Sequence, residues 1–402
     1  MIKGLEKTIT FYMIICLPLL FSVGRFVPYV ETIATLLSLV VLVLNQINKR
    51  RHFILRIVIV VLFVLSGMMG SEYSIHIDHI KPMIIIFLAL DAVGSDLYEY
   101  IVEIITKNEK FIMQQIVCIL FANIIFIFLD AGYSTAYQDS WSFSAYQGIF
   151  SDPHQCAYHI CALLILVLFI AKIHYKSYYF WVLMGFEYCV LLTGARAPTV
   201  LALILALVFV VDNLVKQRYS LDARKKALRY FVLFICIIGA LYLLMKYTNF
   251  GLKMVNSMLG ENLDNGRGTL RDRDWTLFVN SDLIHKLFGH GSDAVIDYHA
   301  SFKYSAAIWS HNDFFQILVG MGLIMFCIYT YYWLVQLKCA VQTSILYVVL
   351  VACLIFVAFY NGLYIHTRFT FLMPVLFGYM RDRKSFSDIY TEKYSRNSEV
   401  SR

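Results

Sequence analysis

Residues 155–171 read QCAYHICALLILVLFIA, a run without a single Lys, Arg, Asp or Glu. Wound as a helix at ~1.5 Å per residue, a run of this size approaches the ~30 Å hydrocarbon thickness of a bilayer. Comparable runs recur at about 8–24, 27–44, 54–70, 80–95, 111–129, 178–193, 198–215, 231–247, 311–333, 342–360 and 367–380. Across 402 residues, 60% are apolar and 15% charged, with a mean hydropathy of +0.67. Soluble domains carry roughly 25% charged residues. The expected fold class is an all-α polytopic membrane protein of about twelve transmembrane helices.

The first run, after Met1 to Lys7, has the outline of a signal peptide, but Pro18 and Arg25 interrupt it and no small-x-small cleavage site follows. It reads as a retained first span. With both termini cytoplasmic, 23 of the 34 Lys and Arg fall in cytoplasmic segments, including Lys49, Arg50, Arg51, Arg56 and the cluster from Lys216 to Arg229. Short outer segments hold only Arg25, Lys81, Arg196 and Arg368. Basic residues accumulate in cytoplasmic loops, so this orientation is self-consistent in a cytoplasmic membrane. The net charge of +7 reflects topology and attraction to anionic headgroups, and nothing points to a nucleic acid partner. The nine cysteines lie mostly inside apolar runs with no close CxxC pair, which argues against a disulfide framework or a redox site. The domains read as spans one to nine over 1–247, an extracytoplasmic loop over 248–310 between spans nine and ten, three further spans over 311–380, and a basic cytoplasmic tail over 381–402.

Two hydrophilic stretches face outward. Asp130 to Gln155 has no Lys or Arg and is rich in aromatics (Tyr133, Tyr137, Trp141, Phe143, Tyr146, Phe150). These form an interfacial belt or stack on sugar faces. The long loop from Thr248 to Ser310 places Trp275, Leu277, Phe278, Ile284, Leu287 and Phe288 at three- and four-residue spacing, which predicts an amphipathic helix within 271–288. Loops of this length are usually functional or disordered. It occurs once and no internal repeat accompanies it, which weighs against a transporter or flippase built from repeats.

Candidate chemistry gathers at the outer boundary. Ser310 and Asp313 read as a capping box, placing His311 and Asn312 at the start of span ten. There the positive helix end keeps an imidazole neutral, as a general base requires, and the exposed N–H groups attract anions. Arg196, in Gly194-Ala195-Arg196-Ala197-Pro198, stands where span eight begins; its planar fork suits phosphate oxygens, and snorkelling to the headgroups is the alternative. The loop adds Arg267, Arg271 and Arg273, with Trp275 on the same predicted helix, and then the turn-forming Phe288-Gly289-His290-Gly291. Asp272 and Asp274 form a DxD that could hold a metal and a diphosphate, but nucleotide sugars are cytoplasmic and local charge pairing is preferred. Two further clusters, His154-Cys156-His159-Cys161 and His76-Asp78-His79, lack standard zinc spacing. Glu187, deep within a span, is a functional candidate by default or is bonded to a neighbouring helix.

Taken in order, the small-Arg-small turn around Arg196, the Arg271-x3-Trp275 helix, the Phe-Gly-x-Gly turn, and His311-Asn312 running on to Gly322-Leu323 resemble the O-antigen ligase and polymerase superfamily, in particular Wzy-type capsular polysaccharide polymerases. The resemblance covers roughly Asp152 to Leu323. It implies a GT-C-like fold and metal-independent, inverting glycosyl transfer from an undecaprenyl diphosphate-linked oligosaccharide, without a cofactor. In such a family His311 is the general base, and Arg196 and Arg271 hold the diphosphate. Arg267, Arg273, His290, Asn312, Glu187 and Trp275 are then secondary candidates for substrate contact. The implied partners are the lipid-linked donor and acceptor, membrane lipids, and a flippase and chain-length regulator of the same pathway. A ligase moving glycan to another acceptor is the alternative activity. The chain departs from the family pattern in having Gly320 where Glu is frequent, Met325 where a second Gly is frequent, and Ala195 and Pro198 flanking Arg196.

Overall fold

The computed structural model describes residues 2–22, 26–27, 29–48, 77–92, 96–134, 144–150, 152–174, 176–216, 267–302 and 309–381, with the single positions 59, 61, 62, 66 and 251. The expected span at 231–247, nearly all of that at 54–70, the Lys216 to Arg229 cluster beyond its first residue, His76, Tyr137, Trp141, Phe143 and the tail after Arg381 lie outside the described residues.

The first described helices are α1 (Ile2–Ser22), α2 (Val30–Asn48), α3 (Ile77–Ala92), α4 (Asp96–Lys107) and α5 (Glu109–Phe128). A two-residue ladder follows, β1 (Tyr133–Ser134) pairing antiparallel with β2 (Ala145–Tyr146). Then come α6 (Pro153–Ile173), α7 (Tyr178–Thr193) and α8 (Arg196–Lys216). The long loop contributes α9 (Arg267–Asn280), α10 (Leu283–Phe288) and α11 (Ala294–Ala300). The chain closes with α12 (Asp313–Val341), α13 (Ile345–Tyr360), α14 (Thr367–Phe371) and α15 (Met373–Arg381).

The stretch that decides the fold class is the hub of the bundle. Every residue of α6 from Cys156 to Ala171 is buried, and α1, α4, α5, α7, α8, α14 and α15 all pack on it. A helix that is apolar all round needs such enclosure or lipid. Asp152 caps it, accepting from the backbone N–H groups of His154 and Gln155, and Pro153 fills the first turn, where its missing N–H costs nothing. Among the described residues, α5, α6 and α12 are long and apolar enough to cross a membrane, and shorter apolar helices occur at Thr32–Asn45, Tyr178–Thr193 and Ile345–Tyr360. The α5 helix turns Phe111, Phe121, Ile124 and Phe128 outward, as a lipid-facing helix does. The amphipathic α4 fills a stretch read as an inter-span segment; it buries Leu97, Ile101, Ile104 and Ile105 on one face. The expected last span is broken into α14 and α15.

The long loop, where the spacing predicts at least one helix, contains α9 and α10 over this stretch. Their apolar residues Trp275, Val279, Leu283 and Ile284 remain exposed on the protein rather than entering its core. That leaves an apolar strip of the kind that lies in a bilayer interface.

Span ten is not one continuous helix. Gly322 adopts φ +81° and ψ 175°, which no helix contains, and interrupts α12 nine residues after its start. The loop fills the break: the N–H groups of His290 and Gly291 donate to the carbonyls of Val319 and Gly320 at 2.9 Å, and the Ser66 hydroxyl donates to Gly320 as well. Carbonyls released from a helix at this depth must find donors. The approach demands glycine on both sides. A Cβ on Gly322 would stand 2.3 Å from the Leu287 carbonyl oxygen, and one on Gly289 (φ +85°) would stand 2.3 Å from that of Gly320. The Phe-Gly-x-Gly turn and the Gly-Leu pair, separated by some thirty residues in sequence, are therefore one packed unit.

Gly322→Ala and Gly289→Ala are each expected to destabilise the chain by about 2–4 kcal/mol, from forbidden φ plus backbone collision. Gly4→Ala, whose Cβ meets nothing within 4 Å, serves as the control. Thermal unfolding in detergent measures all three, and a midpoint for Gly322→Ala equal to that of the control would contradict the packed-loop account.

Candidate functional site

Helix α9 carries Arg267, Arg271 and Asp274 at positions i, i+4 and i+7, on one face. Asp274 is fully buried. Its Oδ2 accepts the Ser310 hydroxyl at 2.6 Å, and its Oδ1 lies 2.9 Å from His299 Nε2, with both side chains inaccessible to solvent. One carboxylate thus brings together α9, α11 and the segment leading into α12. The Ser310 N–H donates to Gln316 Oε1 (3.1 Å), and Gln316 Nε2 donates to the Ser292 carbonyl (2.9 Å). Asp272, by contrast, is exposed on another face, so the two acids of the DxD do not face a common ligand.

His311 follows Ser310, and its position corrects the sequence reading. The Ser310 hydroxyl is committed to Asp274, so it cannot cap. Asn312 is the N-cap instead, accepting the Phe315 N–H at 3.1 Å, and helix α12 starts at Asp313. His311 therefore lies just outside the helix, with φ +53°, a left-handed conformation costing ~1–2 kcal/mol for a residue with a Cβ. Such strain persists only where the surroundings over-determine it. Here the Trp309 ring packs against the imidazole at a 40° tilt, ring centroids 4.2 Å apart, and also meets Tyr364 edge-on at 5.7 Å. Asp313 locks the far side: its carboxylate accepts the N–H groups of Leu363 (2.9 and 3.0 Å) and Tyr364 (3.4 Å) and the Tyr329 hydroxyl (3.0 Å). Gly362, at φ +71°, leaves room for the Trp309 ring, which a Cβ would meet at 2.3 Å.

Burial first, and then the nearby cationic groups Arg267, His154 and His299, push the His311 pKa down to about 3. The ring is neutral at physiological pH. The helix start was the expected cause; enclosure is the larger one. Its Nδ1 is buried and has no hydrogen-bond partner among the described residues.

The other predicted residues distribute as follows. Arg267 Nη1 donates to the Tyr360 carbonyl at 2.7 Å, and the Arg271 guanidinium lies over the Tyr360 and Phe359 rings at 5.1 and 5.9 Å. Both therefore stand at the C-terminal end of α13. Beside them, α12 and α13 enclose an apolar groove of about 500 Å³ lined by Trp275, Phe314, Phe315, Leu318, Phe356 and other apolar side chains. Arg196 opens α8 after a left-handed Gly194 (φ +66°). Cys161 Sγ donates to the Pro198 carbonyl (3.4 Å), which sets the start of α8 against α6. Arg273 is drawn aside, over Phe302 at 4.1 Å. His290 serves the loop's own architecture: its Nε2 is 2.5 Å from Ser281 Oγ and its ring stacks on His285 at 4.4 Å. Glu187 is buried mid-helix in α7, and neither of its carboxylate oxygens has a hydrogen-bond partner among the described residues. His159 Nε2 lies 3.0 Å from Ser22 Oγ, facing α1 rather than the other members of its proposed cluster.

Sequence reasoning missed Asp313, Trp309, Tyr158, Asn361 and His366. Tyr158 stacks on His366 (3.6 Å, 20°) and accepts the Asn361 side-chain N–H (2.8 Å), which joins α6 to the turn that binds Asp313. An acid in the first turn of a span was the one available signal. The rest depends on contacts between residues some two hundred positions apart.

Residues 178–330 match the family model for O-antigen ligase. No curated protein matches the chain.

Two outcomes follow from this geometry. Replacing Asp274 by Ala is expected to cost about 3–5 kcal/mol, because His299 and Ser310 then lose their buried partner; thermal unfolding checks it, and a change below 1 kcal/mol would mean that the three groups are not coupled. His311 is expected to remain neutral between about pH 5 and 8. Imidazole NMR signals assigned through His311→Gln should show no titration near 6.5, and a midpoint there would show the ring to be solvated.

Proposed function

Residues 178–330 carry a domain of the O-antigen ligase family, and from that premise we propose that this chain is a membrane glycosyltransferase that polymerises undecaprenyl-diphosphate-linked oligosaccharide repeat units into surface polysaccharide at the outer face of the cytoplasmic membrane. The observation that carries the reading is the juxtaposition at the α9–α12 junction. A neutral, strained His311 is pinned through Ser310 and Asp274 to the helix bearing Arg267 and Arg271, and those guanidinium groups border an apolar groove. A polyprenyl chain suits the groove, and its diphosphate suits the arginines.

In this mechanism the diphosphate of the donor is held by Arg271 and Arg267, with Arg196 approaching from α8. An acceptor sugar hydroxyl gives its proton to His311 as its oxygen attacks the donor's anomeric carbon from the face opposite the diphosphate. The carbon–oxygen bond to the diphosphate breaks, the configuration inverts, and the diphosphate leaves as an anion. Preorganised cations aimed at that growing charge contribute several kcal/mol and stand in place of a general acid. The bound diphosphate also lifts the His311 pKa from its resting value, since a nearby anion favours imidazolium, so the base strengthens when substrate arrives. The reaction requires no metal or cofactor in this scheme. A ligase delivering glycan to a different acceptor would use the same base and clamp.

His311→Ala, expressed at normal level in a source strain lacking its own copy, is expected to abolish long polymer and to accumulate single lipid-linked units on the outer side. Arg271→Gln should lower turnover by roughly 10²–10³-fold, as loss of one transition-state donor does. Glycan size on a gel reads both. Undiminished polymer in His311→Ala would remove the base, and accumulation on the cytoplasmic side would favour a flippase.

A further inference from the structure

A histidine that takes a proton has two needs. Its ring must be held in one orientation, and the imidazolium that forms must be stabilised. In acid–histidine pairs a carboxylate at the second ring nitrogen supplies both. His311 has no such arrangement: its Nδ1 is buried and has no hydrogen-bond partner among the described residues. The groups that bear on the ring from neighbouring elements are Arg267 of α9, His154 of α6, His299 of α11 and His366 before α14, all of them cationic or cationic once protonated. These oppose imidazolium rather than favour it. The adjacent acid, Asp313, is committed to the Leu363 and Tyr364 N–H groups and the Tyr329 hydroxyl.

What the ring does meet is Trp309. The two ring centroids are 4.2 Å apart at a 40° tilt. That separation lies inside the ~6 Å over which an aromatic face attracts a cation, and indole is the best of the natural rings for it. The indole has a shaped seat. Gly362 leaves the space in which a Cβ would stand 2.3 Å from it, and Tyr364 abuts it edge-on at 5.7 Å. The turn that carries both is bonded to Asp313 of α12, and Ser310, between the two rings in sequence, is bonded to Asp274. Both aromatic partners are therefore anchored from either side.

We propose that Trp309 is the positioning residue of the base: its indole holds the His311 ring in place and stabilises the imidazolium formed during transfer, as a carboxylate does in acid–histidine pairs. The inference rests on the glycosyl-transfer reading above and assigns a second residue to its proton step. The acceptor hydroxyl gives its proton to the imidazole, its oxygen keeps the electron pair for the anomeric carbon, and the indole neither takes nor gives a proton. A neutral ring gains little from the indole face, so the attraction grows as the proton moves and acts on the barrier rather than on the resting state.

The test places fluorinated tryptophans at position 309 alone, by nonsense suppression in the full chain. Successive fluorines drain the indole face of negative potential with little change of shape. Elongation of lipid-linked units is followed in lipid nanodiscs. kcat is expected to fall with each fluorine, to about a tenth for the fully substituted ring, at unchanged KM, the size that a partly desolvated cation–π contact supports. The acid limb of the kcat profile reports the base in the substrate complex. Because the indole face favours imidazolium, weakening it should move that limb to lower pH in step with fluorination. Trp309→Phe should retain part of the rate, and Trp309→Leu should lose about 100-fold, as a misplaced group does. If Trp309→Leu fails to fold, the fluorinated series decides alone. A kcat and an acid limb indifferent to fluorination overturn the proposal and leave the polymerase reading standing. A series in which KM rises while kcat holds also overturns it, because the indole would then be stacking on an acceptor sugar. A folded wild type that elongates nothing overturns both.

Discussion

The buried carboxylate of Asp274 is the interaction on which the loop-bearing end of this molecule depends. A buried carboxyl is costly unless polar groups meet it, and here the Ser310 hydroxyl donates to Oδ2 while His299 Nε2 stands 2.9 Å from Oδ1, each from another segment. The consequence is geometric. The helix that carries Arg267 and Arg271 has few buried apolar residues of its own, so it would be a poorly anchored surface helix if its acid were not drawn inward. Through Ser310 the same bond fixes the residue immediately before His311, which is why the imidazole can be held in a conformation that an unconstrained chain would leave.

A second constraint comes from the break in α12. An interrupted helix exposes carbonyls where lipid offers no donors, and the fold meets that need chiefly with the backbone of the loop, joined by the Ser66 hydroxyl at Gly320. Backbone meeting backbone leaves no room for Cβ atoms, which explains two glycines at left-handed φ on opposite sides of one contact. The loop is thereby packed into the bundle and is not an appendage to it.

Much of this was legible in the sequence because the membrane imposes a coarse rule. Apolar runs near 155–171 and 111–129 announced helices within a few residues of their observed bounds, Gly194 and Pro198 marked the turn before α8, and the spacing of Trp275 and Phe278 marked a helix in the loop. Local chemistry failed where a side chain had two uses. Ser310 has the right type and spacing for a cap, yet a distant acid claims it, and nothing in the local pattern discloses that competition. Asp272 and Asp274 look equivalent as letters but occupy different faces of α9. Residues such as Tyr158 and Asn361, joined across two hundred positions, leave no periodic trace at all.

The three-way bond at Asp274 also bears on how such proteins diversify. Loops between spans are ordinarily the parts that recombination exchanges most freely, since few contacts tie them to the scaffold. Here segment 267–302 brings an acid, a histidine and two glycines whose counterparts, Ser310 and Gly322, are encoded downstream. A crossover falling between them would join an acid to the wrong neighbour and a side chain to a space meant for none. The inherited unit is accordingly loop plus following helix.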